Sequence, residues 1–261
     1  MIFSTIEYKV EKHIASIILS RPEVNNALNK EMIQEIIDAV KLINDQPGIR
    51  FLVLEGYGKI FSSGADLNWM KDSFDLSFEE NRKDAQLLAL CLYRLYSTPK
   101  TTIAKVHGGA YGGAVGLMTA CDFIFSEKLA DFSFSEVKLG LVPAVIAPYI
   151  INRIGIAQTK DLMITGKTIK GNYAQNIGLV NRCYDGIDEL KNYTNSFLEE
   201  LSEAAPIAQS QIKQMINNFS PAKITEDLIK QTSELLAEIR VGDEAKSGII
   251  SFFQRKYRAG N

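Results

Sequence analysis

The sequence predicts an α/β protein that finishes in an all-helical region, and three observations carry that reading. Apolar runs of strand length alternate with stretches of helical apolar spacing up to about residue 183. Past residue 187 only the helical period remains. Two glycine-rich stretches about 45 residues apart, 62–67 and 108–116, each follow an apolar run that reads as a strand.

Residues 14–20 form the first expected strand, rich in isoleucine, and a turn from Arg21 to Asn26 leads to Asn29. Asn29 is a good N-cap for a helix over 30–44, whose apolar positions Met32, Ile33, Ile36, Ile37, Val40 and Ile43 share one face. A short buried strand is expected at 51–56, a helix over 78–96, and another strand at 102–106. A helix should start near Gly113 and run to Cys121, with strands at 123–126, 132–134 and 179–183. Four helices are then expected, over 190–204, 206–219, 225–240 and 243–255. The chain divides on this basis into a core of residues 1–195 and a helical region of 196–261, with no hinge-like linker, fixed-period repeat or low-complexity tract.

Composition narrows the function. With 261 residues, 46% apolar and 23% charged, the chain can bury a full core. A net charge of −2 without a local Lys or Arg cluster argues against a nucleic-acid partner. An RNA-binding side activity would need a basic helix between Asp72 and Arg94, and none is present. The N-terminus lacks a signal-peptide pattern and no apolar stretch approaches membrane-spanning length, so a cytoplasmic location away from membranes is expected. Cys91, Cys121 and Cys183 are odd in number and set among apolar neighbours, as reduced core thiols would be.

The chemistry points to main-chain donors. Five glycines in nine residues at a helix entrance cost backbone entropy unless close approach or positive φ requires them. Their spacing matches neither the dinucleotide fingerprint nor a phosphate loop, which leaves free amides at a helix start, suited to partial negative charge on oxygen. Residues 62–66, taken alone, read as a strand-to-helix turn. Together the two stretches suit two N–H groups aimed at one oxygen, the arrangement a thioester enolate needs. Two histidines, His13 and His107, are too few for a metal cluster or triad; His13 reads as a surface residue and His107 as a strand-end residue held by backbone. Glu136 lies in an otherwise apolar stretch, which would raise its pKa toward proton transfer. A salt bridge to Lys138 or a helix cap is the structural alternative, and the residues leave both open.

Four ordered motifs cover nearly the whole chain: Arg21-Pro22-Glu23-Val24-Asn25-Asn26-Ala27-Leu28, Phe61-Ser62-Ser63-Gly64-Ala65-Asp66-Leu67, the loop 107–116 with Cys121-Asp122, and Gly140-Leu141-Val142-Pro143. In that order they resemble the signature of the enoyl-CoA hydratase/isomerase family, the crotonase superfamily. The resemblance implies a spiral of repeated ββα units, a helical C-terminal segment used for trimerisation, and often a hexamer. It implies an acyl-CoA substrate, with coenzyme A arriving as part of that substrate, no permanently bound cofactor and no metal. Carried over by position, the oxyanion-hole amides are those of Ala65 and Gly113, and Glu136 is the catalytic acid. Gly64, Asp66, Leu67, Gly112 and Gly116 fall among the substrate-binding positions, and Arg255 in the final helix could meet coenzyme A phosphates.

One departure bears on mechanism. Two-carboxylate hydratases of this family carry a glutamate where Gly116 stands, so the resemblance leaves Glu136 to act alone. Either Glu136 activates water for addition across a 2-enoyl thioester, or it shuttles a proton between α and γ carbons as single-glutamate isomerases do. A third reading is an acyl-CoA-binding protein without turnover. Within the family the likeness is to bacterial methylglutaconyl-CoA hydratase-type members, through the segments 64–70, 113–117 and 143–149. Ala144 and Ile146 add bulk where plain hydratases have glycine, which suggests a reshaped pocket for a short or branched acyl chain, with Trp69 and Met70 as walls or as ordinary core.

Overall fold

A computed structural model describes residues 2–73 and 75–259, with side chains of the last helix as far as Gln254. The chain runs β1 (Ile6–Glu11), β2 (Ile14–Leu19), α1 (Lys30–Asn44), β3 (Phe51–Gly56), α2 (Leu67–Asp72), α3 (Phe78–Ser97) and β4 (Thr101–Val106). It continues through β5 (Gly109–Tyr111), α4 (Gly113–Thr119), β6 (Phe123–Glu127), β7 (Asp131–Ser133), α5 (Ala147–Thr165), β8 (Thr168–Lys170), α6 (Gly171–Asn176) and β9 (Arg182–Tyr184). The helices α7 (Ile187–Ser202), α8 (Pro206–Phe219), α9 (Glu226–Val241) and α10 (Asp243–Ala259) follow. The division expected at 195/196 falls inside α7.

The strands form a mixed sheet in the order β1-β2-β3-β4-β6-β9, parallel except for the β1–β2 hairpin, and a smaller sheet β5-β7-β8. One row of register across the larger sheet is Ile17, Leu54, Ala104 and Ile124, all fully buried. Side chains alternate faces along a strand, so Leu52 and Leu54 enter the main core while Phe51 and Val53 face α7 on the other side. There Phe125 meets Tyr193 and Phe197 edge-on, with ring centroids 5.0 and 5.1 Å apart.

The helices form where caps and spacing agree. Asn29 Oδ1 accepts from Met32 N at 2.9 Å and starts α1, whose apolar face fills the main core. Fully burying a residue such as Ile33 or Ile36 there contributes about 2 kcal/mol. Ser77 and Glu80 close a reciprocal capping box on α3. The helices α8 and α9 lie where spacing placed them, and α9 folds back along α3.

Several elements differ from the sequence reading. The edge strand β1 was not anticipated, because Glu7, Lys9 and Glu11 make it polar on one side. The run 179–183 becomes strand only from Arg182, since the amides of Leu179 and Val180 turn back onto Ala174 O at 2.9 and 3.2 Å and close α6. The expected helix at Gly113 ends at Thr119. α5 is interrupted at Gly155, where φ is +70°, a break that blurs its period. Cys91 and Cys121 are free and buried, Cys183 is free and half-buried, and burial pushes the first two thiols well up from their ordinary range. Among the described residues, no helix is long and apolar enough to cross a membrane.

Candidate active site

The first glycine stretch is held by the segment that precedes α1. Asn26 is fully buried, and its Nδ2 donates to Tyr57 O, Ile60 O and Phe61 O at 2.7, 3.1 and 3.1 Å while Oδ1 accepts from Arg21 N. Leu28 then bridges the loop, its N–H donating to Gly64 O and its carbonyl accepting from Asp66 N, both at 2.8 Å. In a parallel bridge the residue between two bonded groups turns its own N–H to the opposite side, so Ala65 points away from Leu28. Gly64 has φ +85°, and a Cβ there would come within 2.5 Å of Tyr111 O. That contact, with a second bridge between Ser62 and Ala110, stitches the two glycine stretches together.

Within the second stretch, Gly112 N donates to Ser133 O at 2.9 Å, and Gly112 O accepts from Val115 N at 2.9 Å as α4 begins. Gly113, the first residue of that helix, has no preceding turn to bond to. Among the described residues, neither Ala65 N–H nor Gly113 N–H finds an acceptor. Both residues border one cavity of about 670 Å³.

Glu136 borders the same cavity, on a short 3-10 turn (Ser135–Leu139) ended by Gly140 at φ +68°. Its carboxylate rests on Gly112, where an added Cβ would sit 3.0 Å from Oε1, one residue from the free Gly113 N–H. Oε2 is sealed from solvent with no hydrogen-bond partner. Burial pushes the Glu136 carboxyl up to about 7, opposed only by its own backbone N–H. No ion pair joins Glu136 to Lys138 among the described residues, so the salt-bridge alternative is not the one adopted. Among the described residues lining the cavity, Glu136 is the one acid.

Of the residues expected at the site, Gly64, Ala65, Leu67, Trp69, Gly112, Gly113 and Glu136 come together on this cavity, as does Met70. Three do not. The Asp66 side chain is buried away from it, Oδ1 capping α2 through Asn68 N and Oδ2 pairing with Arg21 Nη1, each at 2.9 Å. Gly116 lies beneath Ile146: a Cβ there would run into Ile146 Cγ2 and come within 3.0 Å of its Cβ. Ala144 packs into the core, while Pro143, Val145 and Ile146 reach the cavity instead. The Arg255 side chain lies outside the described residues. His107 is buried, its ring Nε2 3.0 Å from Gly58 O, and does not line the cavity. His13 is half-buried, its Nε2 2.9 Å from Ser202 Oγ, so it is less exposed than its charged neighbours suggested.

Sequence reasoning missed Leu88, Leu236 and Arg240, which close the cavity from α3 and α9. Their spacing marks only a helix face packed inward, with no sign of what it packs toward. The arrangement as a whole can grip one carbonyl oxygen with two amides and move a proton beside it. Among the described residues, no group of three or more His, Cys, Asp or Glu side chains is placed to hold a metal ion.

Comparison with known proteins agrees with this architecture. The family model described as enoyl-CoA hydratase/isomerase matches residues 9–258. The chain is 32% identical to Enoyl-CoA hydratase AKT6-1 of Alternaria alternata over 241 residues, 90% of this chain and 77% of the relative. Among solved structures, an enoyl-CoA hydratase from Shewanella pealeana superposes with a TM-score of 0.81 at 32% identity, covering 97% of this chain and 94% of the other. One from Bacillus halodurans reaches a TM-score of 0.89 at 25% identity over 95% of this chain and all of the other. With its two joined glycine loops, its mixed sheets and its helical C-terminal region, the chain belongs to the enoyl-CoA hydratase/isomerase family and has the crotonase fold.

Proposed function

We propose that the protein hydrates a short or branched 2-enoyl-CoA to the 3-hydroxyacyl-CoA, in the manner of methylglutaconyl-CoA hydratase-type members. The observation that carries this is one apolar cavity bordered by two unpaired main-chain N–H groups and a single buried carboxyl poised near neutrality. The Ala65 and Gly113 amides hold the thioester oxygen and stabilise the enolate, each donor lowering the barrier by about 3 to 4 kcal/mol. Ionised Glu136 takes a proton from water as its oxygen adds to the β carbon, and returns that proton to the α carbon. The product gains one water and the carboxylate is regenerated, a syn addition by one group serving as base and then acid. Coenzyme A enters only as part of the substrate, with no resident cofactor.

A second reading is double-bond migration, with Glu136 carrying a proton between the α and γ carbons. The seating of Ile146 over Gly116 favours it, since no second carboxylate fits there to share a water. Product analysis with crotonyl-CoA and a 3-enoyl-CoA, read by mass and absorbance, separates the two. Glu136→Gln should lower either activity at least 100-fold. Wild type that turns over neither substrate, or a variant as active as wild type, would leave only a thioester-binding protein.

For assembly we infer a trimer or a pair of trimers. The helix α8 supports it: none of its residues is buried, and Ile207 and Phe219 are 78% and 79% exposed.

A further inference from the structure

A water that adds to a β carbon needs two acceptors: one takes the proton it loses, and the other holds its remaining hydrogen so that a lone pair faces the carbon. Glu136 is the first. The place from which a second carboxylate would act is closed, because Ile146 is seated over Gly116. Few side chains on the cavity can stand in for it. Arg240 and Lys138 are cations that only donate, and Trp69 Nε1 donates to Asp84 Oδ2 at 2.9 Å. Ser73 is buried with its Oγ donating to Met70 O at 2.7 Å, and Ser63 is exposed with its Oγ 3.4 Å from Val24 O. Ser135 remains. It is half-buried, borders the cavity beside Glu136, and its hydroxyl has no hydrogen-bond partner among the described residues.

The turn that carries both residues sets their sides. Side chains three apart on a 3-10 turn eclipse one another, so Ser135 shares the side of Lys138, which is exposed. Glu136 shares that of Leu139, which packs with Leu141, Ala245 and Ile249. Ser135 thus stands between the buried acid and the open side, from which water arrives. We propose that Ser135 is a second catalytic residue of the hydration, its Oγ accepting the other hydrogen of the water that Glu136 deprotonates. One O–H bond breaks toward Glu136 while the C–O bond forms and the double-bond electrons move to the thioester oxygen; the proton on Glu136 then joins the α carbon. Ser135 gains and loses nothing in the cycle. The proposal rests on reading the site as that of a hydratase.

Two reactions of the same site separate the roles. Hydration of crotonyl-CoA needs the ordered water, whereas exchange of the α hydrogens of butyryl-CoA in heavy water, followed by NMR, needs only Glu136 and the oxyanion donors. Ser135→Ala should lower kcat for hydration about 10-fold with little change in KM, and should leave the exchange rate within about twofold of wild type. Ser135→Thr, which keeps the hydroxyl, should hold hydration within about threefold of wild type. Equal losses in both reactions would make Ser135 a mere support of the turn, and full hydration by the alanine variant would show that the water needs no hydroxyl; either overturns the proposal. A rise in KM alone, the mark of a coenzyme contact, does the same. Should Ser135→Ala fail to fold, Ser135→Cys, close in size but a weak acceptor, takes its place. Wild type that exchanges α hydrogens without hydrating crotonyl-CoA would instead remove the hydratase reading on which the proposal stands.

Discussion

A carboxyl group with one oxygen sealed and unpartnered holds its proton to about pH 7, and this single property of Glu136 sets two pH dependences. As a base it works only when ionised, so kcat/KM should fall about tenfold per pH unit below 7 and level above it. A pH–rate profile that is flat between pH 5 and 8 would show that Glu136 is not the base. Stability runs the other way. The ordinary value is 4.5, so between 4.5 and about 7 the folded chain binds more protons than the unfolded one. Stability from this group is complete below 4.5 and is lost as pH rises through 7, on the order of 3 kcal/mol in all. Glu136→Gln lacks that loss. Denaturant titrations should therefore find it more stable than wild type above pH 7, with the gain vanishing near pH 4. Gly112 shares this site in a different way, since its missing side chain leaves room for the acid.

At the scale of elements, the turn that carries Glu136 is held from behind by α10. Gly140 lies against Glu244 and Ala245, with a Cβ there only 3.0 Å from Ala245 N, and Gly248 packs on the main chain of Leu139 and Gly140. Gly248→Val should push α10 off this turn, costing about 1 to 3 kcal/mol of stability and lowering turnover although Glu136 itself is untouched. Thermal unfolding and steady-state kinetics check the two effects, and full activity at reduced stability would uncouple the turn from the helix. These contacts also show what a sequence can disclose. The two glycine loops and the lone acid Glu136 in its apolar run were legible from the residues, whereas the choice of the Ala65 and Gly113 amides came only through the family resemblance. Asp66 looked like a site residue, yet a short carboxylate at a helix start is spent on the cap and on Arg21. Ala144 was misplaced because exposure along the non-periodic loop 140–146 follows no count of residues. Leu236 and Arg240 reach the cavity only because α9 returns along α3, a long-range packing that no local period encodes.

For the whole molecule, the exposed apolar residues of α8 are the surface on which the proposed trimer or pair of trimers would form. Ile212, Met215, Ile216 and Phe219 fall on one side of the helix by spacing and are at least half exposed. Ile216→Glu combined with Phe219→Glu should reduce the mass in light scattering from three or six chains to one. An unchanged mass would place the interface elsewhere. The fold meanwhile distributes the cavity over elements far apart in sequence, with the glycine loops and Glu136, the groups proposed for the chemistry, beside a wall supplied by α3 and α9. Ile146 stands where a residue at 116 would need to go. A glutamate introduced at 116 alone would collide with the Ile146 side chain. A paired-acid version of this cavity would therefore require two coordinated changes, a carboxylate at 116 and a smaller neighbour at 146.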